Sequence, residues 1–260
     1  MERKYYLNVL RLIAALSVVL LHTSAGVLDN SLAPSEYEFL YSYFKLLNQF
    51  AVPVFVMISG YLFLNPSKSI NYGLLFSKYV RRIVFALFIF GIPMCILEST
   101  FWGENIFRAF DNFLRGHSWA HMWYLYMLIG LYLLTPIFRP FIVNSSIKDI
   151  KIGLCLLFVL SSLLPTLNIY GISVSSYLIL PPYIFLYLLG YYLGDLEKNN
   201  FSIRFLFGLL FIFLILTCFR VLYSMPGNSY SDVIVIFGAS VVFLLFKKRK
   251  SKLEYSKLSI

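Results

Sequence analysis

Long apolar runs separated by short polar intervals make up most of the chain. Scanned over a window of about 19 residues, they lie at Leu7–Val27, Leu46–Leu64, Ile83–Leu97, Met122–Phe138, Ile152–Leu167, Tyr177–Leu193, Phe205–Tyr223 and Val233–Phe246. A helix crossing a bilayer needs about 20 predominantly apolar residues. The pattern therefore predicts an all-α polytopic membrane helix bundle with about eight transmembrane helices. The third and eighth runs are short for a crossing, and their ends are expected to extend into adjoining Ser, Tyr and Trp positions. The first run exceeds the apolar core of a signal peptide, contains Arg11 and leads into Asp29 and Asn30 without a small-residue cleavage pattern. It is read as a helix of the mature chain.

Composition narrows the class. The 260 residues are 60% hydrophobic and 13% charged, against about 45–50% and about 25% in soluble domains. Too little polar residue remains to cover a water-facing surface, so the surplus apolar surface faces lipid. A net charge of +10 would point to nucleic acid in a soluble protein, but here position decides. With a cytoplasmic N-terminus, 17 of the 22 basic residues fall on the cytoplasmic side, among them Arg139 and the tail from Lys247 to Lys257. Arg108, Arg115 and Arg220 fall outside, with the acidic residues Asp29, Glu36 and Glu38, while Arg11 and Lys45 lie at or within helices. That bias predicts both termini in the cytoplasm and assigns the charge to topology and anionic lipid, with no nucleic-acid partner. The chain reads as a transmembrane domain over 1–246 and a basic cytoplasmic tail over 247–260. Cys95, Cys155 and Cys218 stand singly in apolar runs and are read as small buried hydrophobes.

Ionisable residues inside apolar helices are the informative exceptions, because a charge at bilayer depth costs about 2.5–3.5 kcal/mol even on insertion scales. The first helix carries Arg11 and His22, with Asn8 one turn before Arg11. Eleven residues at about 100° each return to the same face and rise roughly 16 Å. Arg11 snorkelling to headgroups and His22 bonding a neighbouring helix would account for both. The functional alternative is a histidine that accepts and returns a proton near neutral pH in a partly dry cavity beside a buried cation. Such a pair suits acyl or group transfer to a hydroxyl.

Elsewhere the residues leave two readings each. Ser59 and Gly60, in AVPVFVMISGYLFL, serve close helix packing or a substrate contact. Lys78, Arg81 and Arg82, in SKYVRRI, anchor the membrane boundary or hold the phosphates of a cytoplasmic donor. In HSWAHMWYLYMLIGLYLLTP, Trp119, Trp123 and Tyr124 fit an interfacial belt. His117 and His121 stand one turn apart but no third ligand stands out, so no metal is expected; His121 is as well suited to a sugar hydroxyl.

Together these segments resemble the acyltransferase-3 family, integral membrane acyltransferases that modify cell-envelope glycans and related acceptors. LNVLRLIAALSVVLLHTS is similar to the family's opening helix, an Arg followed eleven residues later by the His regarded as catalytic; VPVFVMISGYLF, SKYVRRI and HMWYLYMLIGLYLLTP follow in the family's order. Helices five to eight match only in being apolar. Asn8 stands where many relatives have Asp, and Lys78 with Arg81 where they commonly have two Arg. Relatives have about ten membrane helices, the last pair beginning after a Ser-rich stretch that SKLSI resembles, so by the resemblance this chain is expected to lack that C-terminal pair, as a fragment, a truncated product or a short variant.

The resemblance implies His22 and Arg11 as catalytic residues, and Lys78, Arg81 and Arg82 as the site for acetyl-CoA, the donor. Asn8, Ser59, His121, Trp123 and Tyr124 are implied around the glycan acceptor. It also implies a multi-pass protein of a bacterial plasma membrane. The competing expectation is a catalytically degenerate relative or a glycan or lipid translocator, which would ordinarily show repeat symmetry or paired interrupted helices. The Pro181–Pro182 pair has no counterpart. Oligomeric state is not legible.

Overall fold

A computed structural model describes residues 5–32, 34–67, 70–101, 103–117, 122–195, 201–225 and 229–258, with the side chains of 249–258 left aside. The described residues form helices and no strand. In chain order these are α1 (Tyr5–Asp29), α2 (Glu38–Leu47), α3 (Ala51–Leu64), α4 (Tyr72–Leu74), α5 (Arg81–Phe101), α6 (Ile106–Leu114), α7 (Trp123–Asn144), α8 (Ile147–Phe158), α9 (Leu164–Ile169), α10 (Tyr183–Asp195), α11 (Ile203–Leu222) and α12 (Val233–Leu258). A 3-10 turn at Asn48–Phe50 joins α2 to α3. π turns at Leu75–Val80 and Val159–Leu163 join α4 to α5 and α8 to α9.

Among the described residues, seven stretches are long and apolar enough to cross a membrane: Tyr5–Asp29, Glu38–Leu64, Tyr72–Phe101, Trp123–Asn144, Ile147–Ile169, Ser176–Asp195 and Ile203–Leu222. The bundle of about eight apolar helices is expected to include α12 as well, whose apolar part ends at Phe246 and covers roughly 21 Å against the roughly 30 Å of a hydrocarbon core. It extends forward into the basic tail, to Leu258, and not back into the Ser and Tyr positions before it. The reason is a double cap. The Val233 N–H donates to Thr166 Oγ1 at 3.1 Å and the Ile234 N–H to Asp232 Oδ1 at 2.8 Å, which fixes the start of the helix. The third run lengthens as expected, into Tyr72–Phe101. Cysteine burial needs a correction. Cys95 is buried, but Cys155 is exposed, because the buried residues of α8 are Ile150 and Leu154 and Cys155 lies beyond that stripe.

The chain divides into two compact units, Met1–Asn65 with Ser146–Ile260, and Pro66–Ser145. In the first unit α3 is buried almost all round, with Val54, Val56, Met57 and Ile58 at most 1% exposed. It packs on α1, α12 and, most closely, α10. Gly60 and Gly190 make that approach possible: a Cβ at Gly60 would stand 1.8 Å from the Tyr187 carbonyl oxygen, and one at Gly190 would stand 2.1 Å from that of Met57. Small residues let membrane helices touch backbone to backbone, where packing rather than water expulsion drives association. The turn at Asn48–Phe50 also follows from sequence, since Pro53 has no N–H for the Gln49 carbonyl and its ring crowds that oxygen. Pro165 stands in the same relation to Ser161, inside the π turn that precedes α9. At one end of this unit, Lys247 Nζ on α12 donates to the Leu193 carbonyl in the last turn of α10 at 2.9 Å.

The second unit packs α6 and α7 on α5. Leu87, Cys95, Ala109, Phe113 and Met122 form its core, and the Tyr126 hydroxyl donates to the Phe113 carbonyl. Helix α6 is short and strongly amphipathic. It buries Ala109 and Phe113 while Phe107 is 82% exposed, and Arg115 pairs with Asp111 across one turn at 2.8 Å.

Candidate functional site

Helix α1 runs unbroken from Tyr5 to Asp29, so the geometry drawn from spacing holds: His22 stands roughly 16 Å along the axis from Arg11 and about 20° around it. The buried face of α1 is Leu7, Leu10, Ala14, Ser17, Leu21 and Ser24. Arg11 and His22 flank that face, both half-buried. Asn8 is exposed, and its Oδ1 accepts from Arg11 Nη1 at 3.1 Å. The amide oxygen thereby steadies the guanidinium without adding the negative charge of an aspartate.

Ser59, also in the first unit, is buried in α3 and donates its hydroxyl to the Phe55 carbonyl at 3.1 Å. Nearer to α1 comes the turn before α3, whose Asn48 and Gln49 are 5% and 4% exposed. It packs against α1. Lys45, one turn earlier, reaches Asp29 at 3.2 Å, which brings this turn to the Asp29 end of α1. Two buried amides therefore sit beside α1 in its Asp29 half, the half that carries His22. The sequence signal for them was the polar pair in LNQFAVP, hidden because hydropathy averaging absorbs two amides.

Beyond the same end of α1 lies a cleft of about 310 Å³ between α1, α2 and the end of α11, with Leu28, Ser42, Lys45, Arg220, Ser224 and Met225 in its walls. Arg220 is 3% exposed and pairs through Nη2 with Asp232 Oδ2 at 2.9 Å; Asp232 is fully buried. One carboxylate thus neutralises a buried guanidinium and caps α12. Breaking such a pair strands a charge away from water. Asp232→Asn is expected to destabilise the protein by about 3 kcal/mol, measured as a lowered unfolding midpoint of the detergent-solubilised protein. An unchanged midpoint would remove the pair from the list of what holds α11 to α12.

The second unit holds the other predicted residues. Lys78 lies on the π turn, and Arg81 and Arg82 open α5; all three are exposed. Trp123 and Tyr124, half-buried in the first turn of α7, meet edge to face with centroids 6.3 Å apart. His121 and Trp119 lie outside the described residues. Arg139, expected as a topology marker in a cytoplasmic segment, is instead 8% exposed within α7, because that helix continues through Pro136 and Pro140 to Asn144. Helix α7 packs on the π turn that bears Lys78, which makes Arg139 a buried cation of the same unit as the basic trio. Among the described residues no group of three or more His, Cys, Asp or Glu comes together as a metal site.

A family model described as Acyltransferase domain, of the acyltransferase-3 family, matches residues 4–256. The chain belongs to the acyltransferase-3 family. The match covers nearly the whole chain and runs on through most of the basic tail. No curated protein and no solved structure matches it. With seven helices fit to cross a bilayer, this acyltransferase-3 family member is a multi-pass membrane protein.

Proposed function

We propose that the protein is a membrane O-acyltransferase that moves an acetyl group from cytoplasmic acetyl-CoA to a hydroxyl of a cell-surface or exported glycan, in a bacterial plasma membrane with both termini cytoplasmic. One observation carries the reading: in a chain of this family, Arg11 and His22 flank the buried face of a single unbroken helix, both half-buried, roughly 16 Å apart. A neutral imidazole can accept a hydroxyl proton as general base and return it as general acid.

In the proposed step His22 takes the proton of the acceptor hydroxyl as its oxygen attacks the thioester carbonyl carbon. The new C–O bond forms, the C–S bond breaks, and the proton leaves with the CoA thiol. Arg11, steadied by Asn8 and roughly 16 Å along the helix from His22, holds the donor at a point away from the reacting carbonyl. Lys78, Arg81 and Arg82 hold the donor's phosphates, Lys78 as a point charge and the arginines as forks. Ser59, His121, Trp123 and Tyr124 are assigned to the acceptor, the aromatic pair as a stacking surface for a sugar ring.

Ester analysis of envelope glycan from cells with and without the chain tests this reading. Acetyl esters are expected only where the chain is present, and identical ester content in both would sink it.

A further inference from the structure

The cleft beside Asp29 has a charge pattern that the transfer chemistry does not use. Among the described residues its walls contain two cations, Lys45 and Arg220, and no carboxylate. Each cation has an acidic partner, but neither acid lines the cleft. Asp29 is 68% exposed at the helix end, and Asp232 is buried under Arg220, where its second oxygen receives a backbone N–H. A guanidinium carries five N–H donors in a fixed fork, and Arg220, with Asp232 as its counter-ion, turns part of that fork to the cleft wall beside Lys45. The volume, about 310 Å³, suits one sugar unit with its substituent and falls at the small end of ligand pockets.

A second observation concerns the backbone. Helix α11 ends in a turn where the Ser224 N–H reaches the Val221 carbonyl and the Met225 N–H reaches that of Arg220. Ser224 then has φ +47, a left-handed conformation that favours glycine. Helix α1 ends identically, with Ser31 at φ +53. Helices α6 and α9 close the same turn with Gly116 and Gly171. The two helix ends beside the cleft thus keep a hydroxyl where the other two use glycine, and Ser224 is part of the cleft wall.

We infer that the cleft binds an anionic group, carboxylate or phosphate, borne by the glycan acceptor, so that the substrate class is an acidic glycan. Leu28, in the cleft wall, is six residues from His22 on α1, roughly 9 Å along the axis. One oligosaccharide can therefore be held by its charge at Lys45, Arg220 and Ser224 while presenting a hydroxyl of a neighbouring unit to His22. Leu28 and Met225 cover the apolar face of the sugar ring. The inference rests on the reading of His22 as the base that receives the acceptor.

The test uses the full chain in zwitterionic nanodiscs with a tetrauronide and its carboxyl-reduced counterpart. Transfer from acetyl-CoA is expected to favour the tetrauronide by about tenfold in kcat/KM. Lys45→Gln and Ser224→Gly should each pull that ratio toward one, and Lys45→Arg should restore it. Direct titration should show tetrauronide binding that weakens about tenfold in Lys45→Gln and falls with salt. Equal transfer to both oligosaccharides with no charge-dependent binding overturns the inference while leaving acyl transfer intact. Charge-dependent binding at Lys45 without transfer to either keeps the cleft as an anion site and overturns the transfer reading. Protection by phosphatidylglycerol but not by tetrauronide assigns the cleft to lipid and overturns the inference.

Discussion

Replacing His22 by alanine is expected to reduce glycan acetylation by roughly 10²- to 10⁴-fold, the range a positioned general base contributes, while membrane levels and unfolding midpoint stay near those of the parent. The two halves of this result belong together. His22 lies beside the buried stripe of α1 and not in it, where Leu21 and Ser24 fill the contact with neighbouring helices. Shortening the side chain therefore leaves the packed face of α1 as it is. Acetyl-ester content measured alongside immunoblotting of membranes separates lost chemistry from lost protein. Retained acetylation at normal membrane levels would exclude His22 as the base. Arg11→Ala is expected to impair turnover as well, because it removes the cation and releases Asn8.

Gly190→Ala is expected to be the most damaging small substitution in the fold, costing about 3 kcal/mol or more. The added methyl would meet the Met57 backbone at 2.1 to 2.5 Å, and backbone inside a helix cannot turn aside as a side-chain tip can. The pair α3 and α10 would have to separate, undoing the closest contact of the first unit. Gly60→Ala should behave alike, meeting the Tyr187 carbonyl at 1.8 Å. Gly26→Ala and Gly208→Ala are the controls. Both glycines are helical with open space where the methyl would go, so alanine should be neutral or stabilising by up to about 1 kcal/mol. Thermal unfolding of the four solubilised variants checks the contrast. Similar midpoints for Gly190→Ala and Gly208→Ala would refute backbone contact as the basis of the α3–α10 packing.

Hydropathy made the spans legible because lipid imposes one simple demand on any residue it touches. It made α6 illegible for the same reason: a short helix with Phe107 outward and paired arginines is neither apolar nor polar on average. The start of α12 was legible, since the apolar run opens at Val233 behind Asp232 as a local cap, while the Thr166 contact that also closes it is tertiary. In the site, helical spacing alone aligned Arg11 with His22, since an unbroken helix converts sequence distance into position. Asn48, Gln49 and Arg220 were hidden. A residue buried by a neighbouring helix and one buried by lipid look the same in sequence, and Arg220 looked like a charge at a loop boundary until Asp232 was seen opposite it. Arg139 was counted with the loop charges because the fourth apolar run ends at Phe138, whereas α7 continues to Asn144.

Lys247 closes the α10 carbonyl end from a different helix. During synthesis that charge is one of a cluster that decides which side of the membrane the tail remains on. After folding it has a second task, holding the last turn of one span against the last apolar turn of another. Acetylation or substitution of Lys247 alone should therefore leave insertion unchanged, since neighbouring basic residues outvote it, yet loosen the far ends of α10 and α12. In this chain a topogenic charge has also become a latch.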